Sequence, residues 1–302
     1  MRTSGALAAL TLAFLSVLQS SVQASPLPSE ATDGHVPSLA ESILLSNDWS
    51  CKLSSDRPRP LILVHGIFGS IQSHMPFMIS FFQSQGYCVF ALDHGALHLP
   101  FIFGLDKFEN SAQQLSAFTE QVLKATGASK VDLVSYSAGT LVCQYYMKRL
   151  HGASSVEKHA AISPVHYGTT LWGVQTLAKT FGLLDIASKT IGQECISCFQ
   201  VLVNSTFLRD LYADGDAVPG IQYLMVTTVT DEVVTPYTNG FLRSPSPDVR
   251  NQLLQDWCPN DLTEHNLLRA DVNVFNEIDA FLTSSNRALA CRDPPLWIPP
   301  II

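Results

Sequence analysis

The chain reads as an α/β protein with a mostly parallel central sheet and helices on both faces. Three observations predict this. Short apolar runs alternate with helix-like stretches of ten or more residues, the rhythm of βαβ units. Several of the runs are continuous rather than alternating, as in strands buried on both faces. The composition allows a large core: of 302 residues, 46% are hydrophobic and 15% charged, below the roughly 25% charged of an average domain. Such a chain is not intrinsically disordered. A formal net charge of −8 leaves no basic excess to neutralise phosphates, so nucleic acid is not an expected partner.

Taken in order, residues 1–24 read as a signal peptide. Arg2 supplies the cationic start, Ala6 to Leu18 form an apolar stretch of 13 residues, and Val22-Gln23-Ala24 fits a small-residue cleavage site. The competing reading is a signal-anchor, but the stretch is too short for a convincing span, and no later segment looks like a spanning helix. Cleavage leaves a formal −9 on 278 residues, an acidic secreted protein without a stable membrane anchor. Residues 25–46 form a polar N-terminal arm. The main domain is expected over 47–285. Leu61 to Val64 is a buried strand, and Pro76 to Gln85 a helix with proline in its first turn and Gly86 past its end. Tyr87 to Leu92 is the next strand. Leu115, Phe118 and Val122 repeat at helical spacing, and Gly127 ends that helix. Val131 to Val134 is a strand running straight into Ser135, followed by a helix over Leu141 to Leu150. Ala160 to Ile162 and Tyr223 to Val226 are further strands, and Val272, Phe275, Ile278 and Phe281 mark a last helix. Residues 166–220 break the rhythm and read as an insertion or lid over the sheet. The proline-rich tail, 286–302, is expected to lie extended.

Secretion changes how the seven cysteines read, because an oxidising compartment favours pairing. An odd number leaves at least one over. Cys143, on an expected helix, is the candidate for a free buried thiol. The suggested pairs are Cys51–Cys88, Cys195–Cys198 and Cys258–Cys291, although fifteen pairings of six are open. A zinc site at Cys195-Ile-Ser-Cys198 competes, but no second ligand pair lies at a finger-like spacing. Asn204-Ser-Thr206 is a glycosylation sequon, which would lie at the surface.

The chemistry centres on Val131-Asp-Leu-Val-Ser-Tyr-Ser-Ala-Gly-Thr140. A buried strand ends, a turn presents Ser137, and a helix starts at once, the context of a nucleophile elbow. So tight a turn needs small residues two positions either side, and Ser135 and Gly139 meet the need. The new helix aims its N-terminal amides at the place where negative charge develops in acyl transfer. His65-Gly-Ile-Phe-Gly69 follows the first strand directly. The amides of Ile67 and Ala138 are therefore the expected oxyanion hole, while His65 reads as a brace for its loop rather than as the base. A serine needs a base, and the base needs a carboxylate to fix its tautomer. Asp231 and His265 follow Ser137 in the required order, both in loops near strand ends or before the last helix. Glu232, Asp214, Asp216 and His166 compete for these roles.

At these residues the chain resembles the secreted α/β-hydrolase-fold lipases of bacteria and fungi, the class 2 triacylglycerol lipases. The resemblance runs from about Asn47 to Leu282. It rests on Asn47-Asp-Trp-Ser-Cys51, Pro60-Leu-Ile-Leu-Val-His-Gly66, Gly86-Tyr-Cys-Val-Phe90, Ala125 to Val134, His166-Tyr-Gly-Thr-Thr170, Asp231-Glu-Val-Val-Thr-Pro236, and Leu254-Gln-Asp-Trp-Cys-Pro259 ahead of Glu264-His265. It implies an α/β-hydrolase fold, a Ser137–His265–Asp231 triad, an oxyanion hole at Ile67 and Ala138, and hydrolysis of acylglycerol esters with no metal or cofactor. Positions Cys51 and Cys88 recur in the family, as does Cys195-x-x-Cys198. The chain departs at the elbow: the family usually reads Gly-His-Ser-Gln-Gly, and here it is Ser135-Tyr-Ser-Ala-Gly139.

The expected partner is a lipid or ester substrate, met at an oil–water interface if an apolar flap is exposed. Two clusters qualify, Leu97 to Phe103 and Leu171 to Leu183, though both also read as core. Phe68, Tyr136, His166 and Trp172 are expected to line the cleft. A secreted carboxylester hydrolase is the leading function. An acyltransferase or acyl thioesterase on the same triad is the alternative, and an inactive hydrolase-fold binding protein a third.

Overall fold

Within a computed structural model of the protein, the structure describes residues 46–170, 193–286, 290–293 and 295. All belong to one contact unit, Gly34–Ile302. The expected signal peptide (1–24), all but the last residue of the arm (25–46), the cluster Leu171 to Leu183 with Trp172, and most of the tail (286–302) lie outside the described residues.

The apolar runs become strands with little change: β1 (Leu61–Val64), β2 (Val89–Leu92), β3 (Val131–Tyr136), β4 (Val156–Ile162) and β5 (Gln222–Thr227). A sixth, β6 (Val249–Leu253), has no apolar run to announce it. All neighbours pair in parallel in the order β2-β1-β3-β4-β5-β6. The chain first moves outward from β1 to β2, then returns to place β3 on the other side. The order therefore reverses between β1 and β3, and the carboxyl ends of strands at such a reversal are where open α/β sheets bind ligands. In register, Val64 of β1 lies beside Ser135 of β3. Both strands thus end at the same level.

Successive side chains of a strand point to opposite faces, and the two cores follow that rule. Ile62, Val64, Phe90 and Leu133 pack on one face with α3 (Phe108–Thr126) and α4 (Gly139–Arg149). Leu61, Leu63, Val134 and Tyr136 pack on the other with α2 (Pro76–Ser84) and the last helix, α8 (Val272–Leu282). Gly127 closes α3 in the left-handed conformation, φ 71°, its N–H donating to the Leu123 carbonyl. Asp271 caps α8 by accepting from the Asn273 and Val274 amides. Four shorter α-helices complete the α-helical set among the described residues: α1 (Ile71–His74), α5 (Ser197–Gln200), α6 (Thr206–Leu211) and α7 (Leu254–Trp257). The described parts of 166–220 contain α5 and α6 and no named strand. An isolated parallel bridge pairs Thr169 with Leu202, near the middle of that region.

Disulfides join Cys51 to Cys88, Cys195 to Cys198 and Cys258 to Cys291, and Cys143 is free and buried. The zinc reading of Cys195 and Cys198 is thereby corrected: each is bonded to the other. The described tail residues lie against α8, where the Val272 N–H donates to the Pro295 carbonyl.

Candidate active site

The sharp turn after β3 forces Ser137 to φ 53°, a left-handed conformation that costs a non-glycine residue energy and persists only where neighbours impose it. The neighbours are close. A Cβ on Gly66 would stand 3.0 Å from the Ser137 Cβ, and one on Gly139 would stand 2.4 Å from the Val64 carbonyl oxygen. The Ser137 N–H donates to the Ile162 carbonyl on β4, and its own carbonyl accepts from Thr140 in the first turn of α4. Tyr136, Ala138, Gly139 and Thr140 are buried, while Ser137 itself is not.

The base arrives from the loop before α8 and the acid from the loop after β5. His265 Nε2 lies 3.0 Å from Ser137 Oγ. His265 Nδ1 lies 2.9 Å from Asp231 Oδ2. A carboxylate can only accept, so Nδ1 carries the proton and Nε2 is left as an acceptor facing the serine. Asp231 is held in turn by the Val233 and Val234 amides, which donate to its Oδ1 at 3.0 and 2.7 Å. Burial pushes the imidazole's proton affinity down, but Asp231, by charge and hydrogen bond, with Glu232 and Glu264 behind it, outweighs burial and leaves the pKa raised. The two loops are tied together. Thr230 Oγ1 donates to the Leu262 or Thr263 carbonyl, and Gln255 Nε2 reaches both Thr228 Oγ1 and the Asp261 carbonyl.

The Ile67 and Ala138 amides lie at the ends of β1 and β3, on either side of the Gly66–Ser137 contact. Among the described residues neither donates to another protein group. His65 braces this loop. Its Nδ1 donates to the Gly66 carbonyl at 2.8 Å, its Nε2 accepts from the His94 amide, and its ring stacks on His94 with centroids 4.1 Å apart. Burial above all, with His94 beside it, holds its pKa well below the usual imidazole value.

The other candidates fall elsewhere. Asp214 pairs with Lys148 and Arg149 at the surface. Asp216 accepts from Tyr167, Arg243 and Ser244. His166 is fully buried against Tyr212 and Met225, and burial pushes its pKa down to about 3. Tyr136 is buried behind the elbow, where its hydroxyl donates to the His265 carbonyl at 3.2 Å. Phe68 is exposed, and Asn204 is exposed with its carbonyl accepting from Arg209. Trp172 lies outside the described residues. Residue types alone do not reveal Gln255, or the contact between Tyr136 and the His265 backbone. The adjacency of Glu232 to Asp231 and of Glu264 to His265 is visible in the sequence, but only the fold shows that the two carboxyls meet.

A family model described as Lipase (class 2) matches residues 58–275. The chain is 27% identical over 192 residues to a triacylglycerol lipase of Pseudarthrobacter phenanthrenivorans, covering 53% of this chain and 56% of that one. It is 27% identical over 192 residues to a triacylglycerol lipase of Burkholderia plantarii, covering 53% and 50%. The chain thus spans about half the length of these relatives. Among solved structures, Aspergillus fumigatus lipase B superposes with a TM-score of 0.61 at 18% identity, over 78% of this chain and 54% of that one. Bacillus licheniformis lipase BlEst2 in its propeptide form gives 0.57 at 19%, over 80% and 53%. These likenesses establish the α/β-hydrolase fold.

Proposed function

The chain belongs to the class 2 lipase family, and from that premise we propose that it is a secreted serine carboxylester hydrolase acting on fatty-acyl esters such as acylglycerols. The observation that carries the reading is the convergence of Ser137, His265 and Asp231 at hydrogen-bond distance. Ser137 Oγ attacks the ester carbonyl while His265 Nε2 takes its proton. Asp231 holds the imidazole's tautomer and stabilises the imidazolium. The tetrahedral oxyanion is received by the Ile67 and Ala138 amides, donors fixed in place before the reaction begins. His265 returns the proton to the leaving alcohol, and water then releases the fatty acid from Ser137 by the same steps. The residues at hand supply nucleophile, base and oxyanion donors, so the reaction calls on no metal or cofactor.

The test is Ser137→Ala. Removing the nucleophile should lower ester hydrolysis by about 10⁴-fold or more and abolish labelling by a fluorophosphonate. Normal esterase rates in that variant would end the reading. A series of p-nitrophenyl esters and emulsified triglyceride, with an acyl thioester and an acceptor alcohol alongside, sorts hydrolase from thioesterase or transferase.

Secretion is supported by the leader-like sequence of residues 1–24 and by three disulfides. No helix among the described residues is long and apolar enough to cross a membrane. Protein recovered from the medium of a eukaryotic host should begin at Ser25 and lose mass when N-glycans are removed from Asn204. An intact Met1 or an unchanged mass would count against the corresponding half of this statement.

A further inference from the structure

The chain neighbours of the acid and the base meet each other. Glu232 follows Asp231, and Glu264 precedes His265. Glu232 Oε2 accepts the backbone N–H of His265 at 3.2 Å. Asn266 spans the two carboxyls: its backbone N–H donates to Glu264 Oε2 at 2.8 Å, and its Nδ2 to Glu232 Oε1 at 3.3 Å. One asparagine thus holds the two carboxyls side by side. Two ionised carboxylates held together repel one another, and a proton on one of them removes the repulsion. Both are half-buried, where a second adjacent charge is costly.

We propose that Glu232 and Glu264 are positioning residues for His265: a carboxyl pair sharing one proton, which fixes the base's backbone against the acid's loop and keeps a single negative charge beside the imidazole. The proposal rests on the triad reading above. While the proton is shared, the pair acts as a clasp between the loop after β5 and the loop before α8. When it leaves, the second charge repels the first and also strengthens the hold of His265 on its own proton.

Burial, then Glu264 beside it, pushes the Glu232 carboxyl up to about 7. Asp231 first, then Glu232 and Glu264, raise the pKa of His265 against its burial, so a change of charge on Glu232 is felt by the imidazole. Other groups face them. Tyr136 comes from β3, His74 from α1, and Arg269, from the turn before α8, reaches the Ser73 carbonyl. Burial raises the Tyr136 phenol and lowers His74 to about 3. Neither changes charge between pH 5 and 8, and the Arg269 guanidinium is a fixed cation.

The experiment is the pH dependence of kcat/KM for a soluble p-nitrophenyl ester, measured on wild type, Glu232→Gln and Glu264→Gln, with Ser137→Ala as control. In wild type the acid limb should be broader than a single ionisation. In either glutamine variant it should collapse to one ionisation and move to lower pH by about half a unit, because the second charge no longer forms. Melting temperature is the second readout, and it does not depend on catalysis. A carboxyl with a raised folded pKa favours the native state below its unfolded value and loses that advantage as pH rises through the folded value. Wild-type stability should therefore decline from about pH 4.5 to about 7, and each variant should decline less. A uniform loss of rate with an unmoved acid limb and an unchanged stability profile overturns the proposal. Activity surviving in Ser137→Ala overturns the triad reading instead. Should one variant not fold, the other answers the same question, since either removes the second ionisation.

Discussion

At Ser135 the elbow carries a hydroxyl where the family resemblance implies glycine, and the hydroxyl is occupied. Ser135 Oγ lies 2.8 Å from His159 Nε2 and 3.2 Å from Thr140 Oγ1, all three residues being fully buried. Burial pushes His159 down to about 3, so this is a neutral imidazole whose ring nitrogen needs a partner. Ser135→Ala leaves it without one. The expected cost is about 1–3 kcal/mol, the usual penalty for an orphaned buried polar group, read as a lower urea midpoint with unchanged slope. An unchanged midpoint would mean that the hydroxyl contributes nothing. At this scale the sequence is informative about residue type and order but not about direction. Ser137, Asp231 and His265 are legible because a strand–turn–helix nucleophile calls for an acid and a base later in the chain. The burial of Tyr136 and His166 is not, because residue type beside a site does not say which way a side chain points. Strand alternation sends Tyr136 beneath the elbow, where it supports His265 from the backbone side.

The helices and strands that read well from sequence are those buried on both sides of the sheet. β6 does not, because Val249-Arg-Asn-Gln-Leu253 is a half-exposed edge strand. Arg250 pairs with Glu277 of α8 and Asn251 holds Leu242, so polar residues serve there and no apolar run forms. The start of α8 carries a second pair of acids. Asp271 caps the helix while Asp261 accepts from Thr263 and Asn273. Burial, then the charge of Asp261, pushes Asp271 up to about 8. By the sign rule for a raised carboxyl, its contribution is present below about pH 4 and fades as pH approaches 8. An asparagine in its place would still cap, since asparagine ranks with aspartate at that position. Asp271→Asn should therefore remove the fade. Its melting temperature should drop less than that of wild type between pH 5 and 9, by roughly 3–6 °C, for about 1–2 kcal/mol. Parallel curves for the two proteins would contradict this.

Across the whole molecule, the carboxyl ends of the sheet carry an apolar rim that no single segment reveals. Periodicity does not say whether Leu97 to Phe103 is core or surface. The structure places Leu99 and Phe101 in solvent, Phe101 with 88% of its surface exposed. Phe103 N–H donates to the Gly69 carbonyl, which sets this loop beside the loop of Ile67 and Phe68. Val229 and Leu262, also exposed, sit in the two loops that bring acid and base together. With a formal charge of −8 the protein gains little from an anionic surface, so the proposed lipolytic function calls for any attraction to an oil droplet to come from apolar area. Phe101 is the side chain with most to lose. Its φ of 63° also makes asparagine an easy replacement, because asparagine tolerates the left-handed region better than phenylalanine. Phe101→Asn should fold at least as well as wild type and hydrolyse a soluble short-chain ester within about twofold of it. Adsorption to emulsified triglyceride should fall about tenfold, the equivalent of part of one buried aromatic side chain. Added salt should leave wild-type adsorption intact, because screening weakens charge attraction and not the apolar kind. Undiminished adsorption of Phe101→Asn, or loss of wild-type adsorption in salt, would assign the lipid contact to other residues or to charge.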